Sequence, residues 1–134
     1  MTYELRAIGR VESPLVDRDD APKQGDEGAP EAWIAFDAAV CDAYADIGAG
    51  DELLVLTWLH LAQRDKLRVH PRSDPARALT GVFSTRSPDR PNPIGLHRVD
   101  VVDIDGDRIR VRDLEAVDGT PVVDVKPVLH PDDR

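Results

Sequence analysis

The chain has 134 residues, a formal net charge of −9 from 26 acidic against 17 basic residues, and one cysteine, Cys41. That length makes one domain, residues 1–134, able to bury roughly two-thirds of its unfolded surface. The lone thiol excludes an intrachain disulfide, four scattered histidines argue against a zinc site, and the acidic balance opposes any general affinity for a phosphate backbone.

The N-terminus, Met1-Thr2-Tyr3-Glu4-Leu5-Arg6, lacks a basic region followed by an apolar run. No apolar stretch approaches the roughly 18 residues of a membrane span, so a cytoplasmic chain is expected. Interleaved apolar and charged residues predict a strand over residues 3–13, ended by Ser13-Pro14. Residues 17–30 are a solvated loop rich in Asp, Gly and Pro that contains Pro22-Lys23-Gln24. A second strand is expected over residues 32–36, around Trp33, and a short alanine-rich helix over residues 38–47, broken by Gly48-Ala49-Gly50. Residues 52–61 form the most apolar segment and predict a buried strand with His60 at its end. Residues 64–78 are polar and irregular, and a strand over residues 79–85 feeds a proline-rich loop. Asp105-Gly106 suits the positive φ angles of a tight turn, so residues 100–104 and 108–112 form a hairpin. The turn Asp118-Gly119-Thr120-Pro121 precedes a last strand over residues 122–129, which Pro127 limits to a sheet edge or a short run. With strands outnumbering helices and no βαβ alternation, the expected fold is mainly β, a small antiparallel barrel with one or two short helices.

A Rossmann-type nucleotide site is excluded: Gly48-Ala49-Gly50 lacks the third glycine, Leu53 standing in its place, and it precedes a strand instead of following one. The stronger motif is the run Gly81-Val82-Phe83-Ser84-Thr85-Arg86-Ser87-Pro88-Asp89-Arg90-Pro91-Asn92-Pro93-Ile94-Gly95-Leu96. Pro88, Pro91 and Pro93 each fix φ and restrict the residue before them, so neither a helix nor a central strand is expected to run through it. Such a loop presents Arg86 and Arg90 to a carboxylate or phosphate at reduced entropic cost. Basic residues also gather over residues 64–90, where Arg64, Lys66, Arg68, Arg72, Arg77, Arg86 and Arg90 face only Asp65, Asp74 and Asp89. Asp124 and Lys126 lie two apart, on one face of a regular strand, where they form either an ion pair or a proton-handling couple.

The proline-rich run resembles the signature of the TsaA-like, or TrmO, family of S-adenosylmethionine-dependent methyltransferases. Ile8-Gly9, Ser13-Pro14, Pro22-Lys23-Gln24, Leu59-His60 and the stretch from Asp118 through Pro127 extend the resemblance over nearly the whole chain. The family implies a compact β-barrel, not a Rossmann sheet. It also implies a homodimer with the methyl donor near the subunit interface, and methylation of N6 of threonylcarbamoyl-adenosine 37 in transfer RNA. Carried over by matching positions, S-adenosylmethionine touches Pro22, Lys23, Gln24, His60, Leu61, Arg86, Leu96, Asp113, Leu114 and Glu115. On the functional reading of their spacing, Asp124 and Lys126 take the catalytic role; Asp118 is expected to meet the acceptor, and Arg90 either meets it too or braces the loop. The chain departs from the family at Lys23, usually arginine, and at Val128, usually tyrosine, and longer members carry a further C-terminal region beyond the position of Arg134. These departures and the acidic balance keep two rivals in view: a small-molecule or peptide acceptor, and a donor-binding module without transfer activity.

Overall fold

Period-two alternation sets the inner face of each wall strand in the computed structural model, which describes residues 1–133. The strands in chain order are β1 (Gly9–Glu12), β2 (Ala32–Phe36), β3 (Glu52–Trp58), β4 (Arg68–Val69), β5 (Thr80–Gly81), β6 (Ile94–Asp105), β7 (Arg108–Arg112) and β8 (Pro121–Pro127). Six of them close an antiparallel barrel in the order β1-β2-β7-β6-β3-β8, while β4 and β5 pair as a separate two-stranded excursion. The interior is filled by Val11, Ile34, Leu53, Val55, Val99, Ile109, Val111, Leu114 and Val122, each at most 4% exposed. Each such aliphatic side chain contributes roughly 1.5–3 kcal/mol on burial. The expected mainly β antiparallel barrel is therefore what the chain builds.

Several element boundaries differ from the sequence expectation, each for a local reason. The first strand is confined to Gly9–Glu12, the residues paired with β2, of which Gly9 and Arg10 also pair with β8; Tyr3 and Leu5 are exposed at 83% and 59%. The alanine-rich segment makes a 3-10 turn, Ala38–Val40, capped by the Asp37 carboxylate, and then one turn of helix, α1 (Cys41–Tyr44). β3 stops at Trp58: Pro93, opposite Leu59, accepts from the Leu59 amide but has no amide to continue the ladder, and the chain turns there with Ala62 donating to the Leu59 carbonyl, which leaves His60 exposed. Only Thr80–Gly81 of the strand expected over residues 79–85 forms, and Val82–Ser84 is a 3-10 turn.

Two corrections bear on function. A central strand does begin within the proline-rich run: β6 starts at Ile94, directly after the buried Pro93, and its N-terminal half pairs with β3, from Trp58↔Ile94 to Glu52↔Asp100. The last strand is no edge either, since β8 lies between β1 and β3, with Pro121 and Pro127 at its two ends where missing donors are tolerated. The Asp105-Gly106 hairpin is present, with Gly106 at φ 62°.

β3 and β6 approach closely at one point. A Cβ on Gly95 would run into Thr57 Oγ1 and lie 2.6 Å from His97 Nε2. Gly95→Ala is therefore expected to destabilise the chain by roughly 1–3 kcal/mol, lowering Tm by about 5–10 °C in calorimetry. Gly48→Ala, where an added Cβ meets nothing within 4 Å, should leave Tm unchanged.

Candidate functional site

The proline-rich loop is held from inside by Arg90, which takes the bracing role of the two expected for it. Arg90 donates from Nε to the Ser87 carbonyl at 2.8 Å and from Nη2 to the Val82 and Thr85 carbonyls, so its guanidinium braces the loop and is not presented to an acceptor. Arg18 forks onto both oxygens of Asp89 at 3.1 and 3.2 Å and also donates to the Leu61 carbonyl. Arg64 donates to the Pro91 carbonyl and to Asn92 Oδ1 while stacking over Trp58. Arg86 is exposed and has no hydrogen-bond or ion-pair partner among the described residues.

The same accounting dissolves most of the basic cluster over residues 64–90. Arg64 and Arg90 are spent on the loop, Arg68 donates to the Leu79 carbonyl, Arg77 pairs with Asp74, and Arg72 forks onto Glu27 at 2.7 and 2.8 Å. The hydrogen bond with Glu27 holds the Arg72 guanidinium above its ordinary pKa, with the carboxylate's charge adding to the effect. Lys66 and Arg86 remain without partners among the described residues.

A concavity of about 420 Å³ lies beside the N-terminal half of β6. β7 pairs with β6 only from Asp100 onward, so residues 94–99 have β3 on one side and no strand on the other. Gly50 donates to the Val101 carbonyl and Val101 donates to Asp51, so the odd-numbered residues here turn their main chain toward β3. Antiparallel alternation then points the N–H and C=O groups of Leu96 and Arg98 into the open side. That open edge is one wall of the cavity.

The opposite wall comes from the chain leaving β7. Asp113 takes a left-handed φ of 70°, unusual for a residue with a Cβ, and turns the chain so that Leu114 plugs the core and Glu115 faces the cavity. Gln24, Gly25 and Asp26 close the third side. A Cβ on Gly25 would collide with the Asp113 carbonyl, so the two segments meet backbone to backbone.

Five carboxylates line this space, Asp26, Glu52, Asp100, Asp113 and Glu115, against one cation, Arg98. Arg98 donates to Glu52 at 2.7 Å, and this bond holds the Glu52 carboxyl below its ordinary range despite partial desolvation. Glu115 Oε1 lies 2.6 Å from His97 Nδ1, whose other ring nitrogen lies 2.7 Å from Thr57 Oγ1.

Of the ten residues expected to touch the methyl donor, Gln24, Leu96, Asp113 and Glu115 are brought together here. Pro22 and Lys23 flank them, with Lys23 exposed and its Nζ 3.5 Å from Ser73 Oγ. The Leu114 side chain is fully buried in the core, so only its main chain faces outward. His60, Leu61 and Arg86 are exposed and lie outside the cavity wall. Asp118 accepts from the Ser13 amide at 3.0 Å, an internal tie, and is likewise outside it. Asp124 and Lys126 form an exposed ion pair at 3.2 Å on the outer side of the barrel, where the register aligns Asp124, Leu56 and Leu96 in one row across β8, β3 and β6.

His97 and Thr57 escaped the sequence reading. Had the alternation of β6 been carried back through the prolines to Ile94, Gly95, His97 and Val99 would have fallen on its buried face.

Residues 10–134 match the family model of the tRNA-methyltransferase O N-terminal domain. The chain is 45% identical over 127 residues to a probable S-adenosyl-L-methionine-binding protein of Methanothermobacter thermautotrophicus, covering 95% of this chain and 90% of that one. It is 31% identical to the tRNA (adenine(37)-N6)-methyltransferase of Escherichia coli, over 96% of this chain and 58% of that enzyme. The crystal structure of TrmO from P. aeruginosa superposes with a TM-score of 0.75 at 25% identity, over 96% of this chain and 55% of that one. The chain therefore belongs to the tRNA-methyltransferase O N-terminal domain family.

Proposed function

We propose that this chain transfers the methyl group of S-adenosylmethionine to N6 of threonylcarbamoyl-adenosine 37 in transfer RNA. Family membership and the donor-binding relatives support the methyl transfer and its donor. The carrying observation on the chain itself is the acidic cavity along the open edge of β6.

The donor supplies an electrophilic methyl on a sulfonium and bears net positive charge. The carboxylates of Asp26, Asp100, Asp113 and Glu115 give the cavity the complementary sign, and its volume lies within the usual range of ligand pockets, about 300–1,000 Å³. The unpaired main chain at Leu96 and Arg98 offers donor and acceptor groups to the edge of a purine, while the Leu96 side chain offers apolar contact. Positive charge is lost as the methyl moves, so this lining favours donor binding without itself speeding the step. Acceleration comes from holding nucleophile and methyl in line.

Leu56 separates the cavity from Asp124 by two strand spacings, about 10 Å. A base laid over Leu56 has the methyl on one side and the Asp124 carboxylate on the other. In this reading the N6 lone pair attacks the methyl carbon as the carbon–sulfur bond breaks, its electron pair passing to sulfur and S-adenosylhomocysteine leaving; Asp124, its charge balanced beforehand by Lys126, takes the N6 proton. Arg86 is the cation of the proline loop left to meet an anionic group. A transfer RNA acceptor places this work in the cytoplasm.

A small-molecule or peptide acceptor is the second reading, favoured by the net charge of −9 and by the internal pairing of the arginines over residues 64–90. A second copy of the chain would cover the apolar side chains of the β4–β5 excursion, Leu67, Leu79 and Phe83, which are 68%, 50% and 83% exposed.

Incubation with labelled donor and total transfer RNA should place the methyl on the modified adenosine at position 37; label appearing only with small-molecule pools would favour the second reading. Asp124→Asn is expected to lower kcat by about 10²-fold or more with donor Kd unchanged, and an equal loss in Kd would remove Asp124 from proton handling. In sedimentation, Phe83→Asp should shift a dimer toward the 14.8 kDa monomer; a wild-type monomer that still binds donor would exclude the dimer.

A further inference from the structure

His97 is buried, whereas His60, His70 and His130 are exposed. Its imidazole lies between two oxygens, Glu115 Oε1 at 2.6 Å from Nδ1 and Thr57 Oγ1 at 2.7 Å from Nε2. An ionised carboxylate only accepts, so Nδ1 carries the proton. Nε2 then accepts from the Thr57 hydroxyl, which is fully buried and has no other partner among the described residues. Only this arrangement satisfies every donor and acceptor. Gly95 makes the room for it.

The charges along the cavity differ in how they are held. Glu52 is fixed, but by the Arg98 cation, which cancels its charge. The side chains of Asp26, Asp100 and Asp113 make no hydrogen bond among the described residues. Glu115 alone is both fixed and uncancelled, because the group that grips it is a neutral imidazole. Its side chain is 17% exposed, and its second oxygen faces the Gly25 main chain, where an added Cβ would lie 3.0 Å from Oε2.

We propose that His97 is a positioning residue: it spends one Glu115 oxygen on the protein and holds the other as a fixed anionic contact for the cationic centre of the methyl donor. Thr57 sets the tautomer that makes the grip neutral. A glutamate held in advance loses no rotamer freedom when the ligand arrives, so the contact favours binding more than a mobile carboxylate does. The proposal rests on the assignment of S-adenosylmethionine as donor.

The test is a double-mutant cycle on donor binding, read by isothermal titration calorimetry on the full chain. His97→Leu and Glu115→Gln are each expected to raise the Kd for S-adenosylmethionine about tenfold, the scale of one charged hydrogen bond, and the double variant to be no worse than the worse single. Additive losses, near a hundredfold in the double variant, would overturn the clamp. His97→Asn, whose amide N–H falls close to Nδ1, should recover affinity to within about threefold of wild type, whereas His97→Gln, whose amide falls near Nε2, should not. Equal affinities for these two variants would reduce His97 to a space filler, and this pair carries the test if His97→Leu does not fold. S-adenosylhomocysteine, uncharged at sulfur, should lose less affinity than S-adenosylmethionine in His97→Leu, and an equal loss again counts against the clamp. A folded wild-type chain that binds no S-adenosylmethionine sinks the donor assignment and the clamp with it; donor binding with an additive cycle sinks the clamp alone.

Discussion

A mismatch of strand lengths governs this molecule. β6 runs for twelve residues while β7, its neighbour, runs for five. The barrel closes because β6 uses its C-terminal half against β7 and its full N-terminal half against β3. What remains is a stretch of β6, residues 94–99, with one side unpaired; residues 124–127 of β8 are likewise paired only with β3. Closure removes most of the exposed edges that would invite aggregation, and the gap beside β6 is sheltered by the chain segments around Gln24 and Glu115. The cavity is thus a product of the topology, with side chains only colouring it.

Charge is distributed by the same logic of commitment. An arginine-rich stretch reads as a basic surface when only its composition is visible. Folded, Arg64 and Arg90 hold carbonyl oxygens of the proline run, and Arg72 secures Glu27 near the loop that carries Gln24. These guanidiniums satisfy main-chain acceptors that proline-rich backbone cannot pair with its own amides. The acidic residues, by contrast, collect where the wall is open. The sign of the site is therefore the sign of the whole chain, and the basic residues serve mainly as internal fastenings.

Much of this was legible in the residues. The barrel class followed from strands outnumbering helices without βαβ alternation, and the hairpin from Asp105-Gly106, whose turn needs positive φ. Half-buried strands announce themselves by period two. The start of β6 did not, because three prolines within six residues argue against any strand, and only the Pro93 carbonyl accepting from Leu59 shows how the chain recovers its pairing. Of the residues singled out in the sequence, Gln24, Leu96, Asp113 and Glu115 line one cavity, while His60, Leu61 and Arg86 lie outside it. His97 stayed hidden because its role depends on Thr57, forty positions away, and on the absence of a side chain at Gly95. Arg90 was open to two roles in the sequence, brace or acceptor contact, and only the carbonyls it reaches decide for the brace.

The contact between Gly25 and the Asp113 carbonyl sets a limit on how the cavity can change. Where walls are made of side chains, a pocket deepens or narrows by substitution one residue at a time. Here the nearest approach is between two peptide planes, and one of them is turned by a left-handed aspartate. Side chains at Leu96, Asp26 or Asp100 can vary the polarity and rim of the cavity, but its depth at this point is a property of the backbone path. Relatives that differ in ligand size would have to differ there in loop length, not in residue type.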